Sequence, residues 1–127
     1  MSPRSPARIL LADDHELVRK GIRSLLTSVP QWEVCAEAAD GKEAIQKAVE
    51  CKPDVVLMDI SMPHMNGIEA ARQIRSKLSA VRIIMLTMHD SSQISEQAMR
   101  AGANACVMKT ASPEDLLQTI LNLLRPT

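Results

Sequence analysis

The 127-residue sequence predicts an α/β fold, a five-stranded parallel sheet doubly wound with helices on both faces, and three features point to it. Four short apolar runs, 9–12, 55–58, 83–86 and 105–108, have the length of strands and end in turn or polar residues. Stretches with helical apolar spacing lie between them. The central runs are apolar throughout rather than alternating, as strands covered on both faces are. Helical crossovers of the usual right hand then make the sheet parallel.

Each element has its own signal. The run Ile9-Leu10-Leu11-Ala12 is the first strand, and Val18, Ile22, Leu25, Leu26 and Val29 line one face of a helix from about His15 to Ser28. Trp32 to Ala38 alternates as a half-exposed strand. Asp40 and Glu43 form a capping box for a helix whose apolar face is Ala44, Ile45, Ala48 and Val49. Pro53-Asp54 restarts the chain into the strand ending at Asp59. Asn66-Gly67 then opens a helix marked by Ile68, Ala71, Ile74 and Leu78, with Arg72, Arg75 and Lys77 expected to face water. After the strand ending at Thr87, Asp90-Ser91-Ser92-Gln93 starts a helix through Ile94, Ala98 and Met99 to Gly102. Its apolar stripe is the poorest of the five, which makes it the expected place for mobility. The last strand reaches Lys109, and Ser112-Pro113-Glu114-Asp115 combines an N-cap, a proline at the first helical position and acids in the first turn. Leu116, Leu117, Ile120, Leu121 and Leu124 follow as that helix's apolar face.

Composition excludes several classes. Lysine plus arginine equal aspartate plus glutamate at 15 each, so no overall field attracts nucleic acid or an acidic membrane. Direct nucleic-acid binding by this domain is therefore not expected. Cys35, Cys51 and Cys106 are odd in number, dispersed and without a Cys-x-x-Cys pair, which argues against a disulfide framework and a zinc site and for thiols buried in a reducing cytosol. The first residues show no signal-like apolar stretch and no run reaches membrane-spanning length, so a soluble, cytoplasmic protein is expected. Eight methionines without tyrosine or phenylalanine suggest that methionine fills core spaces usually given to aromatics. His15, His64 and His89 lack metal-ligand spacing and read as loop or surface groups.

The chemistry lies where the strands end. Parallel strands of an open α/β sheet place ligand chemistry beyond their carboxyl ends, and the residues there are Asp13, Asp14, Asp59, Thr87 and Lys109. Three carboxylates, a hydroxyl and an ammonium in one crevice suit a metal-assisted, phosphoryl-accepting site. Asp59 is the candidate nucleophile, able to form an acyl phosphate. Asp13 and Asp14 join Asp59 as oxygen ligands for Mg²⁺, while Lys109 and Thr87 are suited to bind phosphoryl oxygens. Taken singly, each aspartate is more simply a helix cap, Thr87 a strand residue and Lys109 a solvated charge. Their common placement at strand ends carries the functional reading. A dinucleotide enzyme or a flavodoxin would need a phosphate-binding loop after the first strand, where Asp13-Asp14-His15-Glu16 repels phosphate without a metal. A phosphatase with an aspartyl nucleophile would want a second acid two residues beyond Asp59, where Ser61 stands.

These residues resemble the receiver domain of bacterial two-component response regulators over essentially the whole chain. The resemblance rests on Asp13-Asp14, on Met58-Asp59-Ile60-Ser61-Met62-Pro63 with Asn66-Gly67 behind it, on Thr87 and on Lys109. The segments 14–21 and 109–117 look most like receivers that precede a LuxR-type helix-turn-helix. The resemblance implies the strand order 2-1-3-4-5, a backbone carbonyl of Ser61 in the Mg²⁺ shell, and phosphoryl transfer from a sensor histidine kinase followed by slow loss to water. It makes the chain a signalling phosphoacceptor rather than a metabolic enzyme. Ser61 and His89 fall at positions that in receivers line the path of the attacking water, so a tuning role for both is expected. Cys106 stands where receivers commonly carry an aromatic switch residue three positions before the lysine, so the chain departs from the aromatic switch while keeping Thr87.

Residues 1–127 are then one receiver domain, with 1–6 a flexible N-terminus and 125–127 the start of a linker or the chain end. The expected output is altered self-association or contact with an attached or separate effector domain, and transcription regulation through a DNA-binding domain beyond this chain. The competing reading is a receiver-like interaction module that works without phosphorylation.

Overall fold

The alternation of apolar runs and amphipathic stretches closes into one sheet with helices on both sides. The computed structural model describes residues 6–88 and 91–125. Its elements are β1 (Ala7–Ala12), α1 (Glu16–Thr27), β2 (Trp32–Ala38), α2 (Gly41–Cys51), β3 (Val55–Asp59), α3 (Gly67–Lys77), β4 (Arg82–Thr87), α4 (Ser92–Arg100), β5 (Ala105–Met108) and α5 (Pro113–Leu124). All strand pairs are parallel and the order is β2-β1-β3-β4-β5, as expected. The expectations for residues 1–5, His89, Asp90, Pro126 and Thr127 lie outside the described residues.

The period of two along each strand divides the core. Leu10, Val56, Met58, Ile83 and Met85 point to one face, where they meet Ala44, Ala48, Ala70, Ala71, Ile74 and Ala98 from α2, α3 and α4. Ile9, Leu11, Leu57, Ile84 and Leu86 point to the other, against Leu26, Leu116 and Ile120 from α1 and α5. The alanine-rich face lets three helices approach closely, and the long, flexible Met58 and Met85 fill the space left. Methionine is not confined to the core, because Met88 and Met99 are about half exposed. The expectation of a poorly anchored fourth helix agrees with α4, whose one fully buried residue is Ala98, although α1 likewise buries only Leu26.

Capping follows the sequence closely. Asp40, Asn66, Ser91 and Ser112 each accept a hydrogen bond from the backbone N–H three residues on, and the Glu43 carboxylate accepts one from the N–H of Ala39, the residue before the cap. Helix α1 differs, since its N-cap His15 makes no side-chain cap bond. The ladder between β1 and β2 is irregular: Ile9 pairs with Val34 and Leu10 with Ala36, which leaves Cys35 as an extra residue in the edge strand.

Arg75 departs from the expected solvated position. Its guanidinium donates to the carbonyls of Ser79 (2.9 Å), Val81 (2.6 Å) and Gly102 (2.8 Å) and to Asn104 Oδ1 (2.8 Å), which also accepts from Ile83 N (2.8 Å). Five donors in a fixed fork tie the end of α3 to the loops before β4 and β5. A Cβ on Gly102, which sits at φ +114°, would lie 2.9 Å from the Arg75 side chain. Replacing Arg75 by methionine keeps the stem but strands these acceptors, so Arg75→Met is expected to lose about 2–3 kcal/mol in urea unfolding. The exposed Arg72→Met, which breaks only an i,i+3 pair with Glu69, should stay within about 0.5 kcal/mol of wild type.

Candidate functional site

The strand order reverses around β1, and the residues that close β1 and β3 meet in the crevice there. Asp13 follows the last residue of β1 and is fully buried, while Asp59 ends β3 and is 3% exposed. Asp13 N donates to Ala38 O (3.0 Å) and Ile60 N to Leu86 O (3.0 Å), so ladder hydrogen bonds continue past both strand ends and hold the two carboxylates in place. Thr87 ends β4 and is buried next to this point, on the strand where Leu86 pairs with Asp59. Lys109 follows β5, and its backbone N–H donates to Thr87 O at 2.7 Å.

Lys109 is the cation of the crevice. Its Nζ lies 2.8 Å from Asp13 Oδ2 and 3.0 Å from Asp59 Oδ2, with the side chain 8% exposed. The other carboxylate oxygens are held by tight turns: Asp13 Oδ1 accepts from His15 N (2.8 Å), and Asp59 Oδ1 from Ser61 N (3.2 Å). Neither buried aspartate is a helix cap. Asp14 sits at the more open side, with its side chain 29% exposed. Arg19 of α1 donates to the main-chain carbonyl of Asp13 (2.7 Å) and pairs with Glu37 (3.0 Å), which fixes the end of β1 to α1 and β2.

Burial raises the Asp59 carboxyl above the usual carboxylate range, against the pull of Lys109, and the neighbouring Asp13 charge adds to the rise. Burial also works against the Lys109 ammonium, but Asp13 and Asp59 outweigh it and hold that lysine above its ordinary value. When ionised, the three carboxylates exceed the one lysine by two charges, a deficit of the size a divalent cation fills.

Donor chemistry fits such an ion. One ligand atom from each of Asp13, Asp14, His15 and Asp59 lies within 4.8 Å of the others. Asp13 Oδ2 is buried and accepts no aligned hydrogen bond, its close contact being the ion pair with Lys109. Carboxylate oxygens are the ligands Mg²⁺ and Ca²⁺ prefer, whereas an imidazole suits transition metals better.

Of the sequence candidates, Asp13, Asp59 and Lys109 are in direct contact, Asp14 borders them, Thr87 is buried beside them and Ser61 lies at the exposed start of the loop after β3. His89 is outside the described residues. Cys106 is half-buried on β5, its thiol raised by burial and lowered in part by a hydrogen bond with Ser95 of α4. His15 was read only as a loop or surface histidine; it is largely exposed, yet its Nδ1 lies 3.3 Å from Asp13 and 3.2 Å from Asp14. Direct adjacency to the two aspartates was the available signal. Gly67 had been read as part of a helix start, but a Cβ there would run into the Asp59 carbonyl and lie 2.7 Å from Met85 Cε.

An acidic pocket closed by a buried lysine, at the switch point of a 2-1-3-4-5 sheet, defines a two-component signalling receiver. The chain belongs to the response regulator receiver domain family, whose sequence profile matches residues 9–121. Response regulator protein VraR of Staphylococcus aureus is 42% identical over 113 residues, which are 89% of this chain and 54% of that protein. The chain thus spans about half the length of the curated relatives it matches. A two-component response regulator of the LuxR family from Aurantimonas sp. superimposes with a TM-score of 0.90 at 45% identity, covering 94% of this chain and 86% of that one. CheX–CheY–BeF3–Mg from Borrelia burgdorferi matches with a TM-score of 0.90 at 27% identity over 96% of this chain and 92% of that one. No described helix is long and apolar enough to cross a membrane.

A carboxyl that binds its proton more tightly folded than unfolded favours folding while protonated. The Asp59 contribution is therefore present below about pH 4 and lost as pH rises through its raised value. Without divalent metal, Asp59→Asn should lose less stability than wild type between pH 4 and pH 7, measured by urea unfolding. Parallel curves for the two proteins would contradict the raised value.

Proposed function

We propose that this receiver accepts a phosphoryl group on Asp59 from the phosphohistidine of a sensor histidine kinase. The observation that carries this reading is the buried Asp59 carboxylate with Lys109 Nζ at 3.0 Å and the ligand atoms of Asp13 and Asp14 within 4.8 Å. An Asp59 oxygen attacks phosphorus as the P–N bond breaks, and the imidazole leaves with the electron pair. Ser61 N–H fixes the carboxylate's orientation through its bond to Oδ1. Lys109 then pairs with a phosphoryl oxygen as a point charge, and the Thr87 hydroxyl donates to another. Asp13, Asp14, Asp59 and the Ser61 carbonyl would hold Mg²⁺, which would supply the remaining positive charge for attack of one anion on another.

The kinase must bring its phosphohistidine to the carboxyl end of the sheet. An apolar cleft between α1 and α5, lined by Leu17, Val18, Gly21, Met108, Lys109 and Pro113, opens beside the lysine, and Leu17 is 83% exposed. This is the surface we assign to the kinase contact. Phosphorylation shifts the population of two states through Thr87, with Cys106 in the position of the aromatic switch. The output passes to a LuxR-type DNA-binding domain in the full-length protein, directly or through self-association. Water slowly removes the phosphoryl group, at a rate tuned by Ser61 and His89. The domain works in the cytoplasm as a phosphoacceptor, not as a turnover enzyme.

Incubation with acetyl phosphate and Mg²⁺ should add one phosphoryl group by intact mass, with none in EDTA and none in Asp59→Asn. No gain, and no spectroscopic change with beryllofluoride, would favour the phosphorylation-independent interaction module. Ser61→Ala and His89→Ala should change the lifetime of the phosphorylated form without abolishing its formation, followed by mass after removal of the donor; unchanged lifetimes would exclude their tuning role.

A further inference from the structure

Two of the three thiols, separate in sequence and remote from the acidic pocket, meet at the far end of α2. Cys35 Sγ and Cys51 Sγ are 2.9 Å apart, and both residues are partly accessible. Cys35 is the extra residue where the β1–β2 register shifts, and such a bulge re-aims a side chain. Cys51 is the last residue of α2, followed by Lys52 in the left-handed region at φ 47°. The Arg8 guanidinium holds the Cys51 carbonyl, and its Nε pairs with Glu33 Oε2 at 3.4 Å, so β1, the edge strand and the helix end are tied around the sulfurs.

We propose that Cys35 and Cys51 form a modification site, a vicinal dithiol that a hydroperoxide oxidises reversibly to an intramolecular disulfide. Closing the bond requires the sulfurs to approach by about 0.9 Å, to the usual S–S length near 2.05 Å. A terminal helical turn can supply that movement. A metal is a poorer occupant: sulfurs on one tetrahedral zinc ion lie about 3.8 Å apart at ordinary Zn–S lengths. No Cys or His cluster of three or more ligands surrounds the pair among the described residues.

Both residues are partly accessible, so a peroxide can meet either sulfur of the touching pair; burial and the neighbouring sulfur push the Cys35 thiol up to about 12. One sulfur, as thiolate, attacks a peroxide oxygen, the O–O bond breaks, and a sulfenic acid forms as hydroxide or alkoxide leaves and takes up the proton the thiol released. The partner sulfur then attacks the sulfenic sulfur; the S–O bond breaks, and hydroxide departs with the partner thiol's proton as water. Two thiols lose two electrons and two protons, and the peroxide gains them.

The test treats the reduced protein with hydrogen peroxide, denatures it, alkylates with N-ethylmaleimide and reads intact mass and peptides. Untreated protein should take three adducts, one per cysteine, and oxidised protein one, on Cys106. A peptide linking Cys35 to Cys51 should appear, vanish with dithiothreitol, and accompany a Tm rise on the order of 5–10 °C, because the link closes a 16-residue separation. Cys106→Ser should form the same link, with two adducts before treatment and none after, and Cys35→Ser should instead carry Cys51 to sulfinic acid. Three adducts after treatment, independent overoxidation of both thiols in wild type, or a link between two molecules would overturn the proposal. Peptide mapping of wild type keeps the test decisive if a serine variant folds poorly.

Discussion

Two aspartates buried side by side cannot both remain ionised without a cation between them, and the placement of Lys109 meets that need. The lysine reaches across from β5, bridges Asp13 and Asp59, and uses its own backbone N–H to extend the β4 ladder. Much of the sheet's carboxyl end is organised around this contact. The strand order puts β1 beside β3, so the two carboxylates arrive together. The same order leaves β5 at the edge, from which a long side chain can enter without displacing a helix. The lysine offsets one of the three carboxylate charges gathered here and leaves an excess of two.

Legibility in the sequence followed the range of the interaction involved. Caps are local, and Asp40, Asn66 and Ser112 made the bonds their positions implied. Strand burial was equally plain, because a run such as Val55 to Met58 leaves no polar face to expose. The acidic pocket was legible because the topology of a parallel sheet converts scattered strand ends into neighbours. Contacts that depend on a particular approach of distant segments were not. Arg75 looked like a solvated helix residue, since its acceptors are carbonyls, which leave no trace in side-chain pattern. The Cys35–Cys51 contact depends on a one-residue slip in the β1–β2 ladder, which periodicity cannot register. Gly67 carried a turn signal, but its closeness to the Asp59 carbonyl comes from the return of α3 beneath the loop.

The two faces of the sheet are built to different tolerances. On the α2, α3 and α4 side, alanines bring helix backbones near the strands, so added volume has nowhere to go, as the close approach of Gly41 to Met65 also shows. On the α1 and α5 side, leucines and isoleucines fill the layer between helices and strands, and a cleft borders Lys109. Added volume is thus least tolerated behind the loop that follows Asp59, while the opposite side keeps an open cleft with Leu17 exposed at its rim.

The bulge at Cys35 has a bearing on solubility as well. An open sheet presents two unpaired borders, each a template for a strand from another molecule. Here one border is only four residues long, β5, and the other, β2, is interrupted near its middle by an extra residue. A straight intruding strand would find its hydrogen bonds out of phase after two or three residues. The irregularity that brings two sulfurs together therefore also guards a crowded solution of this protein against edge-to-edge polymerisation.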